Sequence, residues 1–171
     1  MTAGDLLAWF VAFSADVTGF TEFELRGTGQ ASEYLSTVVA VVGEQFVDEL
    51  HDAHERLAGE ARGNPAALED LLRRDIFSDE KLGPIARSIV KLWYIGIWYE
   101  LPRAWCEAFG AREKNTTFMV SPTAYTEGLL WPAIGANPPG AKAPGYASWA
   151  QPPQIPAGSQ PPAAPAGSSG L

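Results

Sequence analysis

The side chains best equipped for chemistry in this chain are His51 and His54, with Asp48, Asp52 and Glu55 around them. On a helix Asp48, His51 and Glu55 share a face and His54 lies beside it. Two histidines three apart plus a carboxylate form a donor set for a divalent metal. An amphipathic helix also needs polar residues at these positions, and the cluster reads as a solvated polar face without metal. The chain has only these two histidines, so a histidine–carboxylate catalytic machine is built there or nowhere.

Other arrangements are missing. No serine stands in Gly-x-Ser-x-Gly, and the single cysteine, Cys106, has Trp105, Ala108 and Phe109 as neighbours, the setting of an inert thiol. Neither Gly-x-Gly-x-x-Gly nor Gly-x-x-x-x-Gly-Lys-Ser/Thr occurs, so no phosphate cradle is signalled. One cysteine also excludes an intrachain disulfide, a covalently attached haem, a cysteine-held cluster and a cysteine-based zinc site. The expectation is a chain that is not an enzyme by itself, with no catalytic, cofactor-binding or metal residues.

The elements around these residues read as all-α. Leu6, Phe10, Phe13, Val17 and Phe20 repeat at helical spacing, which predicts a helix over 5–18 ended by Gly19, with Gly27-Thr-Gly29 as the following loop. Ser32 offers an N-cap for one long helix with Leu35, Val38, Val42, Phe46, Leu50 and Leu57 on its apolar face. Asn64-Pro65 opens a short helix through Leu72. Another starts near Pro84 and is apolar almost all round over 89–99, as a fully buried helix must be. Ser121-Pro122 starts the last one, and Trp131-Pro132 is its expected end. The organisation expected is a domain of about five helices over 1–131, an extended Pro/Gly-rich arm over 132–150, and a disordered low-complexity tail over 151–171.

Charge follows the same division. The chain of 171 residues carries a formal charge of −8, and Pro132–Leu171 has Lys142 as its one charged side chain. All 20 acidic residues fall in the first 131, against 11 of the 12 basic ones. An acidic body without a basic patch excludes nucleic acid as the main partner. No apolar run approaches the roughly 20 residues that span a bilayer. Asp5 stands where a signal peptide would be basic, so the chain is expected to be cytoplasmic if complete and periplasmic if a twin-arginine leader has been removed.

Aromatic residues are dense. Trp93, Tyr94, Trp98, Tyr99 and Trp105 crowd one stretch, with Tyr125, Trp131, Tyr146 and Trp149 beyond it. Tryptophan and tyrosine are enriched in binding hot spots, and a proline-rich strand is partly ordered before it binds. At about 3.1 Å per residue, the stretch 132–149 could reach on the order of 50 Å along a neighbour. The residues expected to bind a partner are Trp93, Tyr94, Trp98, Tyr125, Leu129, Trp131, Pro138, Pro139, Tyr146 and Trp149. Docking competes with packing in the chain's own core for Trp93–Tyr99.

Four strings carry a resemblance. They are Lys91-Leu-Trp-Tyr-Ile-Gly-Ile-Trp98, Val120-Ser-Pro-Thr-Ala-Tyr-Thr-Glu-Gly-Leu-Leu-Trp131, Gly135-Ala-Asn-Pro-Pro-Gly-Ala-Lys-Ala-Pro-Gly145 with Ser148-Trp149, and Phe13-Ser-Ala-Asp-Val-Thr-Gly-Phe20. Together they resemble the small (gamma) subunit of bacterial FAD-dependent sugar and polyol dehydrogenases, the sorbitol, glucose and fructose dehydrogenase complexes, over most of 10–149. The resemblance implies a non-catalytic subunit that supports a large flavoprotein of the glucose-methanol-choline type. That partner would carry the FAD and the substrate site, and a cytochrome c subunit often accepts the electrons. The small subunits of that family carry a twin-arginine leader for export; none stands in this sequence, so either the leader has been removed or this member works beside a cytoplasmic oxidoreductase as a stabilising subunit only. A free-standing helical interaction module or homo-oligomer is the alternative.

Overall fold

The computed structural model describes residues 2–110 and 114–138. Pro139, Tyr146, Trp149, most of the expected arm and the whole expected tail lie outside the described residues. Two compact units divide the chain, Met1–Gly128 and Leu129–Leu171.

The first unit opens with α1 (Ala3–Thr18). Thr2 and Asp5 cap it reciprocally: Asp5 N–H donates to Thr2 Oγ1 at 3.2 Å and Thr2 N–H to Asp5 Oδ2 at 3.0 Å. Gly19 ends it, its N–H bonded to the Ala15 carbonyl at 3.0 Å. Between Gly19 and the expected loop a further helix forms, α2 (Glu22–Gly27), on a second capping box made by Thr21 and Glu24.

The single long helix expected next is two, α3 (Ala31–Val42) and α4 (Glu44–Ala61). Gly43 turns the corner at φ 101°, ψ 155°, a conformation only glycine adopts readily. Ser32 is not the N-cap; the helix starts two residues earlier than expected, after Gln30. Asn64 caps α5 (Pro65–Leu71) by accepting from the Ala66 and Ala67 N–H groups at 3.1 and 3.3 Å. The same run of chain then widens into a π-helical turn, Leu72–Phe77.

Asp79 accepts from Leu82 N–H at 2.7 Å and starts α6 (Leu82–Ile95). The helix expected to continue to Tyr99 stops at Gly96 (φ 68°), and Ile97–Trp98 becomes β1 of a small antiparallel hairpin with β2 (Phe118–Met119). Ile97 pairs with Met119 and Trp98 with Phe118. A helix with no sequence signal, α7 (Arg103–Phe109), lies in the connection. Ser121 caps α8 (Pro122–Thr126) as expected, accepting from Ala124 N–H at 3.0 Å.

The architecture is all-α, with more and shorter helices than expected. Helices α1, α3, α4 and α6 pack around one core. Phe10, Phe13, Leu50, Leu57, Ile89 and Leu92 are fully buried in it, each contributing about 1.5–3 kcal/mol. In the second unit, a four-residue turn, α9 (Leu130–Ala133), contains the Trp131-Pro132 pair expected to end a helix. Pro132 is accommodated because the first amides of a helix have no carbonyl to bond.

Candidate functional site

Trp93 and Trp98, expected on a partner surface, are instead core residues of the first unit, 1% and 0% exposed. Trp93 stacks on Phe10 with ring centroids 6.2 Å apart and meets Tyr34 edge-on at 4.9 Å. Trp98 Nε1 donates to Asn115 Oδ1 at 3.5 Å, and the same oxygen accepts from Leu101 N–H at 2.9 Å. The reason lies at Gly96. A Cβ there would sit 2.5 Å from the Ala124 carbonyl carbon, so the bare backbone lets α8 close over the end of α6. Gly128 does the same against Tyr94, where a Cβ would lie 2.7 Å from the carbonyl oxygen.

Three of the four sequence strings meet at this closure. Val120 N–H donates to the Gly96 carbonyl at 3.0 Å. Tyr94 is half-buried, its hydroxyl donating to the Thr18 carbonyl at 3.1 Å and its ring set edge-on to Phe20 at 6.0 Å. Tyr125 is half-buried in the same unit. In the second unit Leu129 and Pro138 are buried and Trp131 is half-buried, while Ile134 is exposed.

The histidine pair separates. His51 keeps the expected polar setting, its Nδ1 3.1 Å from Asp52 Oδ1. His54 does not lie on a solvated face: it is 3% exposed. Trp9 Nε1–H donates to His54 Nδ1 at 3.1 Å, and His54 Nε2 lies 2.8 Å from Asp16 Oδ2. An indole nitrogen can only donate, so Nδ1 must hold a free lone pair and the proton resides on Nε2. The imidazole is therefore neutral, and its contact with Asp16 is a hydrogen bond rather than an ion pair. Both ring nitrogens are committed inside the fold, which leaves none for a metal.

Asp16 continues this chain outward. Its side chain is 36% exposed and lines a half-open groove of about 620 Å³. One wall comes from the end of α1 and the turn after it, with Thr18, Phe20 and Thr21. The other comes from α5 and the π-helical turn, with Leu68, Glu69, Leu72, Arg73 and Phe77. Arg73 is bonded to Glu69 at 2.6 Å. Wide helical turns of this type recur at functional sites because the extra residue per turn displaces the local backbone.

Sequence reasoning missed the most exposed large apolar side chain in the described residues, Phe23 at 86%. A signal existed: Thr21-x-x-Glu24 is a capping box, and on the helix it starts Phe23 lies about 200° from the buried Leu25. Met119, 48% exposed, was missed as well, while Tyr99 at 36% was counted with the aromatic stretch. Among known proteins no family model, no curated sequence and no solved structure matches this chain.

Proposed function

We propose that this chain is a non-catalytic small subunit that binds and stabilises, in chaperone-like fashion, the FAD-containing catalytic subunit of a glucose-methanol-choline-type sugar or polyol dehydrogenase. The four sequence strings give the reading its identity. The observation that carries it is Phe23, which stands in solvent beside a core complete without it. A phenylalanine that exposed buries little apolar area on folding, and covering it with a second surface would contribute about 1.5–3 kcal/mol. FAD and the substrate site belong to the partner, and the flavin passes its electrons on from there, to a cytochrome c subunit where one is present.

Co-expression with an FAD-containing dehydrogenase of the glucose-methanol-choline type tests the proposal. The expected result is one purified complex that holds both polypeptides and FAD, with dehydrogenase activity. Phe23→Ser should cut the recovered activity at least tenfold while leaving the melting temperature of the isolated chain unchanged. A flavoprotein that reaches full activity without this chain overturns the proposal. So does a homodimer that buries Phe23 against its own copy, the outcome expected of a free-standing interaction module.

A further inference from the structure

We infer that the groove between the end of α1 and the π-helical turn seats an arginine side chain of a polypeptide partner, with the Asp16 carboxylate as its anchor. The argument starts at Trp9. Because its N–H occupies His54 Nδ1, the imidazole is neutral and leaves the charge of Asp16 uncompensated. The Nε2–H fixes Oδ2, so the carboxylate is oriented before anything binds, and its partial exposure opens it to the groove. Preorganisation of this kind lowers the ordering cost of binding.

The other charged side chains lining the groove are Glu69 and Arg73, bonded to each other. With Asp16 they leave one net negative charge, in a chain whose formal charge is −8. A cation is the complement. The apolar walls, Phe20, Leu68, Leu72 and Phe77, suit the methylene stem and flat guanidinium of arginine better than a compact ammonium. A polypeptide fits better than a free small cation. About 620 Å³ exceeds what one guanidinium group fills, and the helix that starts at the groove's edge carries Phe23 as a second contact.

This inference deepens the subunit reading by naming the chemistry that the partner brings. The test titrates the full-length chain with N-acetyl-Leu-Arg-Leu-amide and with N-acetyl-Leu-Gln-Leu-amide, following backbone amide shifts by NMR. The arginine peptide should bind at least tenfold tighter and shift Gly19, Phe20, Thr21, Leu68 and Leu72. Asp16→Asn keeps an oxygen to accept from His54, so it should fold normally and shrink the difference between the peptides below about threefold, as loss of one charge-assisted contact implies. Equal binding of the two peptides, shifts elsewhere, or an unaltered preference in Asp16→Asn overturns the inference. Butylguanidinium alone matching the arginine peptide overturns it too, because the site is then a small-cation pocket. A chain that forms the flavoprotein complex yet ignores arginine keeps the subunit reading and loses this one; a chain that binds the arginine peptide but forms no complex does the reverse.

Discussion

His54→Ala puts the buried Trp9–His54–Asp16 chain under direct test. The substitution leaves Trp9 Nε1–H without an acceptor on a residue only 6% exposed, which costs about 1–3 kcal/mol. It also empties the space of a ring packed edge-on against Phe13 at 5.3 Å and Trp9 at 6.4 Å, a loss of about 2 kcal/mol by comparison with other buried large-to-small changes. Asp16 loses a donor, but at 36% exposure water replaces it at little cost. The total is about 3–5 kcal/mol, a large share of the roughly 5–15 kcal/mol that separates a folded domain from its unfolded chain. Urea unfolding followed by tryptophan fluorescence and circular dichroism measures it. His51→Ala is the control: it removes an edge contact with Trp9 at 5.2 Å and a surface hydrogen bond, for about 1 kcal/mol or less. A nitrogen-15 spectrum of the imidazoles should place the His54 proton on Nε2. A loss below 1 kcal/mol in His54→Ala, or a proton on Nδ1, refutes the buried hydrogen-bond chain and with it the free charge assigned to Asp16.

Four further outcomes follow from the geometry. Gly96→Ala should destabilise by about 3 kcal/mol or more in chemical unfolding, since its Cβ would collide with the Ala124 backbone. Gly19→Ala, equally left-handed at φ 77° but open around its Cβ, should lose only about 1 kcal/mol. Asp5 and Glu24 are held below the usual carboxylate range by hydrogen bonds from the Thr2 and Thr21 side chains and backbone amides. Their contribution is present above the unfolded carboxyl pKa of about 4 and disappears as pH falls through the folded value, so Thr21→Ala should flatten the acid limb of a stability–pH curve. Tyr34 is pushed well above the normal phenol range by burial, with Glu33 and Glu127 adding to it. Stability should hold up to pH about 10 and then fall as the unfolded chain ionises its phenol, and Tyr34→Phe should blunt that alkaline loss in a denaturation series.

Much of the fold was legible wherever the backbone needed a particular residue. The end of the first helix at Gly19, the Asn64-Pro65 start and the Ser121-Pro122 start stand where expected, whereas the first helix begins two residues early, at Ala3, on the Thr2–Asp5 capping box. The corner at Gly43 was hidden for a physical reason. Val38, Val42, Phe46, Leu50 and His54 keep a spacing of four across it, because both helices face the same core, so hydrophobic periodicity shows no break. That same row held the clue to His54. It extends the stripe of Val42, Phe46 and Leu50 and precedes Leu57, whereas His51 falls off the stripe. Residue type outweighed position in the reading of the pair. The helix α7 and the hairpin depend on contacts distant in sequence, such as Leu101 and Trp98 sharing Asn115, which no local pattern encodes.

The aromatic density that marked the chain for docking is largely spent on the fold, and this changes where binding must be sought. Trp93 and Trp98 sit under the closure that Gly96 and Gly128 permit, so substituting either lowers stability and binding together and cannot tell them apart. The string at 13–20 differs. Phe13 and Ser14 face inward, but Asp16, Gly19 and Phe20 reach the groove, and Phe23 stands just beyond. Substitutions at Asp16 and Phe23 should therefore separate recognition from folding: binding falls while the unfolding free energy stays within about 0.5 kcal/mol of the parent, as surface changes usually do. If Trp98→Phe weakened partner binding with an unchanged midpoint while Phe23→Ser left binding intact, the docking face would lie at the hairpin instead, and the case for the groove would fail.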